Sequence, residues 1–352
     1  MEYIDRKNKI LQFVRVYGAI SNSDVQSLTS SHRNTSTHDL KKLVDEGLLL
    51  AHGTGKGTIY RLLEDLIFAL SEIEASFLKK EKKLFDKFFR TQNRKKVFFN
   101  KIAEKAISAD FSFPKNISDK FHEIKERIDT KRKELSEESR KKKKEKLVID
   151  LSWASANIEG NTYSILETEG LLKYNQTAKG KNFQEAQMIL NHKSAIEYIR
   201  QGSHYKTIDK QKVLELHQIL MQNLNIDTGF REHLVTISNS SFVPCDNKFQ
   251  IISFFDLLTT KINKMKSALD KAVAANLLLA FLQPFSDGNK RTSRMLGNSI
   301  LLSYNYIPIS FVNTPKEDYI KVILYFCKKQ KPDFFKQLFL NELNNSFREY
   351  IG

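Results

Sequence analysis

The chain has 352 residues and a formal net charge of +16, from 57 Lys and Arg against 41 Asp and Glu, with 41% hydrophobic and 11% aromatic residues. That length exceeds what one small core organises, so two or three domains are expected, and the apolar content excludes a chain unable to build packed interiors. No run of about 18 apolar residues occurs and MEYIDRKNKI lacks the apolar segment of a signal peptide, which predicts a soluble, cytoplasmic protein with no membrane partner. Cys245 and Cys327 stand far apart, match no metal spacing or disulfide framework, and are expected to be packing residues.

In IDRKNKILQFVRVYGAIS, Ile10, Leu11, Phe13, Val14 and Ala19 suit a short helix ending at Gly18. Ser21 or Asn22 can cap a second helix through SNSDVQSLTSS. RNTSTHDLKKLVDEGLL then places Leu40, Leu43 and Val44 at helical spacing before Gly47 stops the helix. LLLAHGTGKGTIYRL reads as a two-stranded hairpin with Gly53, Gly55 and Gly57 at its tip; its GTGKGT lacks the spacing of a phosphate-cradling loop and opens no helix. Helix, helix, helix, hairpin resembles a winged helix-turn-helix domain over residues 1–62. That resemblance implies that Arg33, Asn34, Thr35, Thr37 and His38 face base edges of duplex DNA, with Lys41, Lys42 and Lys56 near phosphates. The basic balance of the chain suits such a partner, because Lys and Arg gain free energy by releasing counterions from phosphates. The same fold also serves as a protein-docking module.

From residue 63 to 146 the chain is rich in Lys and Glu and interrupted only at FSFPKNIS around Pro114. It predicts a helical connector of two or more long helices, with RKKKKEK (Arg140 to Lys146) as a solvated face. Residues 147–352 carry long amphipathic helices with few glycines. In IDLSWASANIEGNTYSILETEGLL, Leu151, Ser155 and Ile158 fall on compatible turns, Gly160-Asn161 is a C-cap, and Thr162 or Ser164 caps the next helix. Glu159 at that helix end reads, on its own, as a surface carboxylate. GFREHLVTISNSSFVPCDNKFQI alternates as a hairpin would.

LQPFSDGNKRTSRM is the densest stretch. NKRTSRMLGNSILLSYNYIP has Met295, Leu296, Ile300 and Leu301 at helical spacing, so a loop runs into a buried helix. A helix N-terminus offers free N–H groups to an anion. Gly288 permits close backbone approach, and Arg291 and Arg294, three residues apart on one face, can clamp successive phosphates.

QPFSDGNKRTSR resembles the signature H-x-F-x-[DE]-G-N-G-R-x-x-R of the Fic (Fido) family, and SANIEGN resembles that family's autoinhibitory [ST]-x-x-x-E-G-N motif placed N-terminal to the core. The resemblance covers about residues 147–340, with SSFVP, containing Ser241 and Phe242, matching the flap that aligns a target protein. It implies a mainly α protein: an all-helical Fic fold with a small β-hairpin flap over residues 147–352, preceded by the winged helix-turn-helix domain and the connector. It implies ATP or ADP with Mg²⁺ as cofactors. By the same resemblance Phe285 anchors the core, Asp287 is the Mg²⁺ ligand, and Gly288, Asn289 and the following turn hold α- or β-phosphates. Arg291 and Arg294 take the outer phosphates, Glu159 pairs with Arg294 to occlude the γ-phosphate position, and Ser155 supports the inhibitory helix.

Two departures limit the inheritance. Where the family has the histidine that accepts a proton from the attacking hydroxyl of a target Ser, Thr or Tyr, this chain has Gln283, which has no titratable nitrogen near neutrality. Lys290 stands where the signature has its second glycine; GNK resembles the Doc branch, which phosphorylates its targets, and the lysine either binds phosphate or fills the subsite. The leading reading is a nucleotide-binding Fic-fold regulator with weakened or lost adenylyltransferase (AMPylation) activity and a DNA-binding domain. The alternative is an active transferase of AMP or phosphate, autoinhibited by Glu159, with a base borrowed from elsewhere, for which His233 is the candidate. A third reading is a scaffold for homodimerisation.

Overall fold

The computed structural model describes residues 2–17, 19–46, 48–52, 55–62, 85, 88, 89, 95–201, 204–237 and 240–351. They fall into two compact units, one drawn from residues 1–77 and 120–136, the other from 78–119 and 137–350.

The first unit opens with α1 (Tyr3–Tyr17), β1 (Ile20–Ser21), α2 (Asn22–Thr29), α3 (Arg33–Asp45), β2 (Leu49–His52) and β3 (Ile59–Leu62). Ser21 is the α2 cap: its hydroxyl accepts from Asp24 N–H while the Asp24 carboxylate accepts from Ser21 N–H. The expected hairpin is present, β2 and β3 pairing antiparallel from Leu49 with Leu62 to His52 with Ile59, and β1 adds to the other edge of β3. Gly18, Gly47 and Gly53, expected at the helix ends and the hairpin tip, lie outside the described residues. Ile10, Val14, Ile20, Val25, Leu40, Leu43 and Leu49 form the core, with Leu11, Phe13 and Val44 packed against it. This core turns the polar side of α3 outward: Arg33, Asn34, Thr37, His38, Lys41 and Lys42 are exposed and Thr35 is half-buried. Lys56 lies in the turn Gly55–Gly57 between the strands.

Then come β4 (Val97–Phe98), α4 (Ala103–Ile107), α5 (Lys115–Glu134) and α6 (Glu137–Ile158). Of the expected connector, residues 63–84, 86, 87 and 90–94 lie outside the described residues, while α5 and α6 are its long helices. Helix α6 runs unbroken through position 147, so the change of texture there is a change from solvent-facing to core-facing turns within one helix. Arg140, Lys141, Lys142 and Lys144 are exposed, whereas Leu147, Ile149, Leu151 and Ile158 are buried.

The second unit continues with α7 (Ile165–Tyr174), α8 (Phe183–Arg200), α9 (Lys210–Met221), β5 (Phe242–Val243), α10 (Lys248–Lys264), α11 (Ala268–Leu282), α12 (Asn289–Ser303), α13 (Lys316–Lys329) and α14 (Asp333–Ile351). Ser164 caps α7 in a capping box with Glu167. Helix α11 is apolar on every side from Ala272 to Leu282 apart from Asn276, and buried along nearly its whole length, as a central helix must be. Helix α12 packs along it, so closely that a Cβ on Gly297 would come 2.0 Å from Asn276 Nδ2. Helices α6, α8 and α9 also pack on α12, which places its N-terminus amid several helices. Cys245 and Cys327 are buried and unpaired, as expected of packing residues.

The expected hairpin at the flap is a correction. Residues 229–237 form no strand, Ser238 and Asn239 lie outside the described residues, and β5 pairs in parallel with the distant β4, Phe242 opposite Val97. Long-range pairing and burial won over local alternation: Val97 N–H donates to Ser241 C=O, and the Phe242 ring is buried 5.3 Å from the Phe281 ring, in the core beneath α11.

Candidate active site

The loop Gln283–Gly288 joins α11 to α12 in two left-handed steps. Gln283 ends α11 at φ 51° and Gly288 opens α12 at φ 77°. Gly288 has a further reason to be glycine: a Cβ there would lie 2.4 Å from Met221 Cε. Between them the Asn289 side chain closes the loop on itself, accepting from Phe285 N–H and donating to Phe285 C=O, both at 2.8 Å. Asn289 is therefore first a shaping residue. With Gly288 offering no capping side chain, the first N–H groups of α12 point to the loop mouth without intrahelical acceptors.

Phe285 is fully buried, the expected anchor, and its ring stacks on His217 of α9 at 3.7 Å and 8°. His217 Nε2 lies 3.0 Å from Asp287 C=O; a carbonyl only accepts, so Nε2 carries the proton and Nδ1, buried without a partner, has the lone pair. Burial holds the His217 pKa down at about 4 against the pull of that hydrogen bond, and burial holds His192 of α8 down at about 3. The sequence reading did not find His217; its one signal is a histidine among the apolar residues Leu216, Leu220 and Met221 on the buried face of α9.

Gln283 is 8% exposed, and its amide Nε2 donates 2.7 Å back to Ala280 C=O. Arg231, also missed, is a buried guanidinium that donates to Gln283 C=O at 2.7 Å, to His233 C=O at 2.6 Å and to Cys245 C=O, while its own N–H reaches Pro284 C=O. An arginine between Phe230 and Glu232 gave no hint that four carbonyl contacts would form the staple that holds the 229–237 segment, His233 included, against the loop. His233 itself has an exposed side chain.

Asp287 is 56% exposed on its side chain; Oδ1 accepts from Gly288 N–H and Oδ2 from Arg291 Nη2 at 2.8 Å. Arg291 is buried, and its Nε and Nη1 have no acceptor. Arg294 does not face the loop mouth with it. Its Nε donates to Ser155 Oγ at 3.0 Å and its Nη2 to Ser155 C=O at 2.9 Å and Glu159 Oε1 at 2.8 Å. The other carboxylate oxygen of Glu159 meets Lys290 Nζ at 2.9 Å. Glu159 is thus no surface carboxylate: its side chain is 11% exposed, and although burial would raise its pKa, Arg294, Lys290 and Arg291 hold it down at about 2.

Among the described residues no group of three or more His, Cys, Asp or Glu could hold a metal ion. Asp287 supplies one exposed carboxylate beside N–H donors and buried guanidinium donors in want of an acceptor. That donor set fits Mg²⁺ carried on a polyphosphate, which needs only one or two protein carboxylates, and does not fit an all-protein cage. No helix among the described residues is long and apolar enough to cross a membrane.

The helical domain opens a loop onto a buried, arginine-bearing helix N-terminus, a chemistry suited to an anion. Residues 207–301 match the Fic/DOC family. The chain is 31% identical over 194 residues to the protein adenylyltransferase Fic of Aedes aegypti and 24% identical over 202 residues to the protein adenylyltransferase fic-1 of Caenorhabditis elegans, covering 52% and 55% of this chain and 39% of each relative. It thus spans about two fifths of the length of the curated relatives it matches. Among solved structures, a Fic domain containing signaling protein from Bacteroides thetaiotaomicron aligns with a TM-score of 0.54 at 20% identity, over 64% of this chain and 95% of that one. Fic-1 from C. elegans aligns with a TM-score of 0.54 at 16% identity, over 94% and 90%. Over residues 207–301 the chain is thus similar to the Fic/DOC family, and its fold is that of these Fic-domain neighbours.

Proposed function

We propose that this chain is a Fic-fold nucleotide-binding protein whose adenylyltransferase activity is weakened or lost, joined to a DNA-binding winged helix-turn-helix unit at residues 1–62, and acting as a cytoplasmic regulator. The observation that carries it is the state of Gln283. A general base must reach the proton it abstracts, yet this side chain is buried, cannot titrate, and spends its N–H on Ala280 C=O. In AMP transfer the hydroxyl oxygen of a target Ser, Thr or Tyr bonds to the α-phosphorus of ATP as the bond to pyrophosphate breaks, and the hydroxyl proton must find an acceptor. Gln283 accepts none.

Polyphosphate binding fits the rest of the site. The N–H groups at the start of α12 and the unpartnered Nε and Nη1 of Arg291 would bind and orient phosphate oxygens, and Asp287 would hold Mg²⁺, which supplies charge neutralisation when bound. Glu159, seated on Arg294 and Lys290, would act as the autoinhibitory carboxylate, excluding the outermost phosphate until it withdraws. Ser155 would keep that helix seated. The exposed residues Arg33, Asn34, Thr37, His38, Lys41 and Lys42, with Thr35 and Lys56, would face DNA. The names of the relatives, protein adenylyltransferases, support a protein as the target once or still modified, approached along Ser241 and the segment before it.

One observation favours a second reading, an active transferase. Arg231 donates to the backbone carbonyls of both Gln283 and His233, so the chain at His233, which carries a titratable side chain, is tied to the loop at the position of the missing base. Incubation with ATP labelled at the α- or the γ-phosphate, for the wild type and Glu159→Gly, decides: no label in either protein supports loss of activity, α-label shows AMP transfer, and γ-label alone shows phosphotransfer.

A further inference from the structure

The two oxygens of Glu159 are held by two different cations one helical turn apart on α12: Oε1 by Arg294 at 2.8 Å and Oε2 by Lys290 at 2.9 Å. The two cations are not equivalent. Arg294 is 3% exposed on its side chain and is fixed by two further hydrogen bonds to Ser155, so its guanidinium has nowhere to go. Lys290 is 31% exposed, and Glu159 is the partner found for its ammonium. It sits in the first turn of α12, beside the N–H groups that lack intrahelical acceptors. A lysine ammonium is a point charge on a flexible stem with three donors, able to change partners without moving its backbone.

We propose that Lys290 is a movable latch on Glu159: with no ligand it holds the carboxylate over the start of α12, and when a nucleoside polyphosphate occupies that start it exchanges Glu159 for the outermost phosphate. This rests on the nucleotide-binding reading above. Lys290 is then a positioning residue with opposite effects in the two states. Its removal frees the inhibitory carboxylate, and it also deletes a phosphate contact.

A double-mutant cycle separates these roles. MgATP, MgADP and AMP are titrated by calorimetry into the wild type, Lys290→Gln, Glu159→Gly and the double variant, with Lys290→Arg as the charge-preserving control. In the Glu159→Gly background, Lys290→Gln should weaken MgATP about tenfold, the usual worth of a charged hydrogen bond, and leave AMP unchanged. In the wild-type background the same change should weaken MgATP less than twofold or tighten it, and Lys290→Arg should behave as wild type. Equal effects in both backgrounds, or equal losses for AMP and ATP, overturn the latch while leaving the nucleotide site standing. Failure of Glu159→Gly to bind any of the three overturns both.

Discussion

The Glu159 carboxylate accepts a 2.8 Å hydrogen bond from Arg294 Nη2, joining residues 135 positions apart across α6 and α12, and both side chains are nearly buried. A buried pair of this kind holds only while both partners are present, since either charge alone pays its desolvation uncompensated. Glu159→Gly should therefore leave Arg294, still held by Ser155, with an unpaired charge open to another anion. If everything but the base is intact, Gln283→His combined with Glu159→Gly should create auto-AMPylation about 10²–10⁴-fold above Glu159→Gly alone, the range of general base catalysis. α-Labelled ATP followed by gel autoradiography measures it. Strong wild-type activity that Gln283→His leaves unchanged would show that the glutamine does not disable the site.

Arg291 has two buried nitrogens, Nε and Nη1, without acceptors. Arg291→Ala should weaken MgATP about 10–100-fold by calorimetry, and Arg291→Lys should restore little of it, because one ammonium cannot reproduce a fork of donors. Equal affinity in wild type and Arg291→Ala would remove these phosphates from α12.

Gly288→Ala should cost about 1–3 kcal/mol in chemical denaturation, from a left-handed φ of 77° and a clash with Met221. Pairing it with Met221→Ala should recover the clash component alone. Complete recovery would mean that the backbone conformation carries no strain.

Acid should loosen the domain in two steps. His217 and His192, held down at about 4 and about 3, stay neutral in the folded chain while the unfolded chain takes up protons below about 6.5, so stability is lost as pH falls from about 6.5 towards 4. The slope should approach ~1.4 kcal/mol per pH unit for each histidine. Glu159, depressed to about 2, contributes stability that is present above about pH 4.5 and lost as pH falls to 2. Urea titrations across pH should show the first slope reduced in His217→Gln; a flat profile between pH 6.5 and 4 contradicts it.

Residues 33–42 present an exposed polar face on α3 that nothing in the first unit's core requires. The full chain should bind duplex DNA with a steep salt dependence, and Lys41→Ala/Lys42→Ala should reduce the slope of log affinity against log salt by about 2, one for each phosphate contact. Gel shifts between 50 and 200 mM salt measure this, and an unchanged slope would turn the reading towards protein docking.

Local rules were enough for much of this protein. Ser21 and Ser164 start helices because a hydroxyl three residues before an acidic side chain satisfies the helix N-terminus wherever the chain goes, and the alternation of Leu49–His52 and Ile59–Leu62 closes a hairpin across a short turn. The resemblance of two short motifs likewise joins Glu159, Ser155 and Arg294 on sequence alone, and they do meet in the fold. Tertiary structure decided what depends on distant partners. Phe242, expected in a flap hairpin, pairs with Val97 rather than with its own neighbours, since a buried aromatic contact outweighs alternation. His217 and Arg231 became parts of the loop because packing brought α9 and the segment after it against Phe285, Gln283 and Asp287. Lys290, read from sequence as a phosphate ligand or an obstruction, turned to Glu159 because folding placed a second buried carboxylate oxygen within its reach. Caps and turns are written in four or five adjacent residues, whereas the choice of a partner for a charge is made by whichever opposite charge folding brings close.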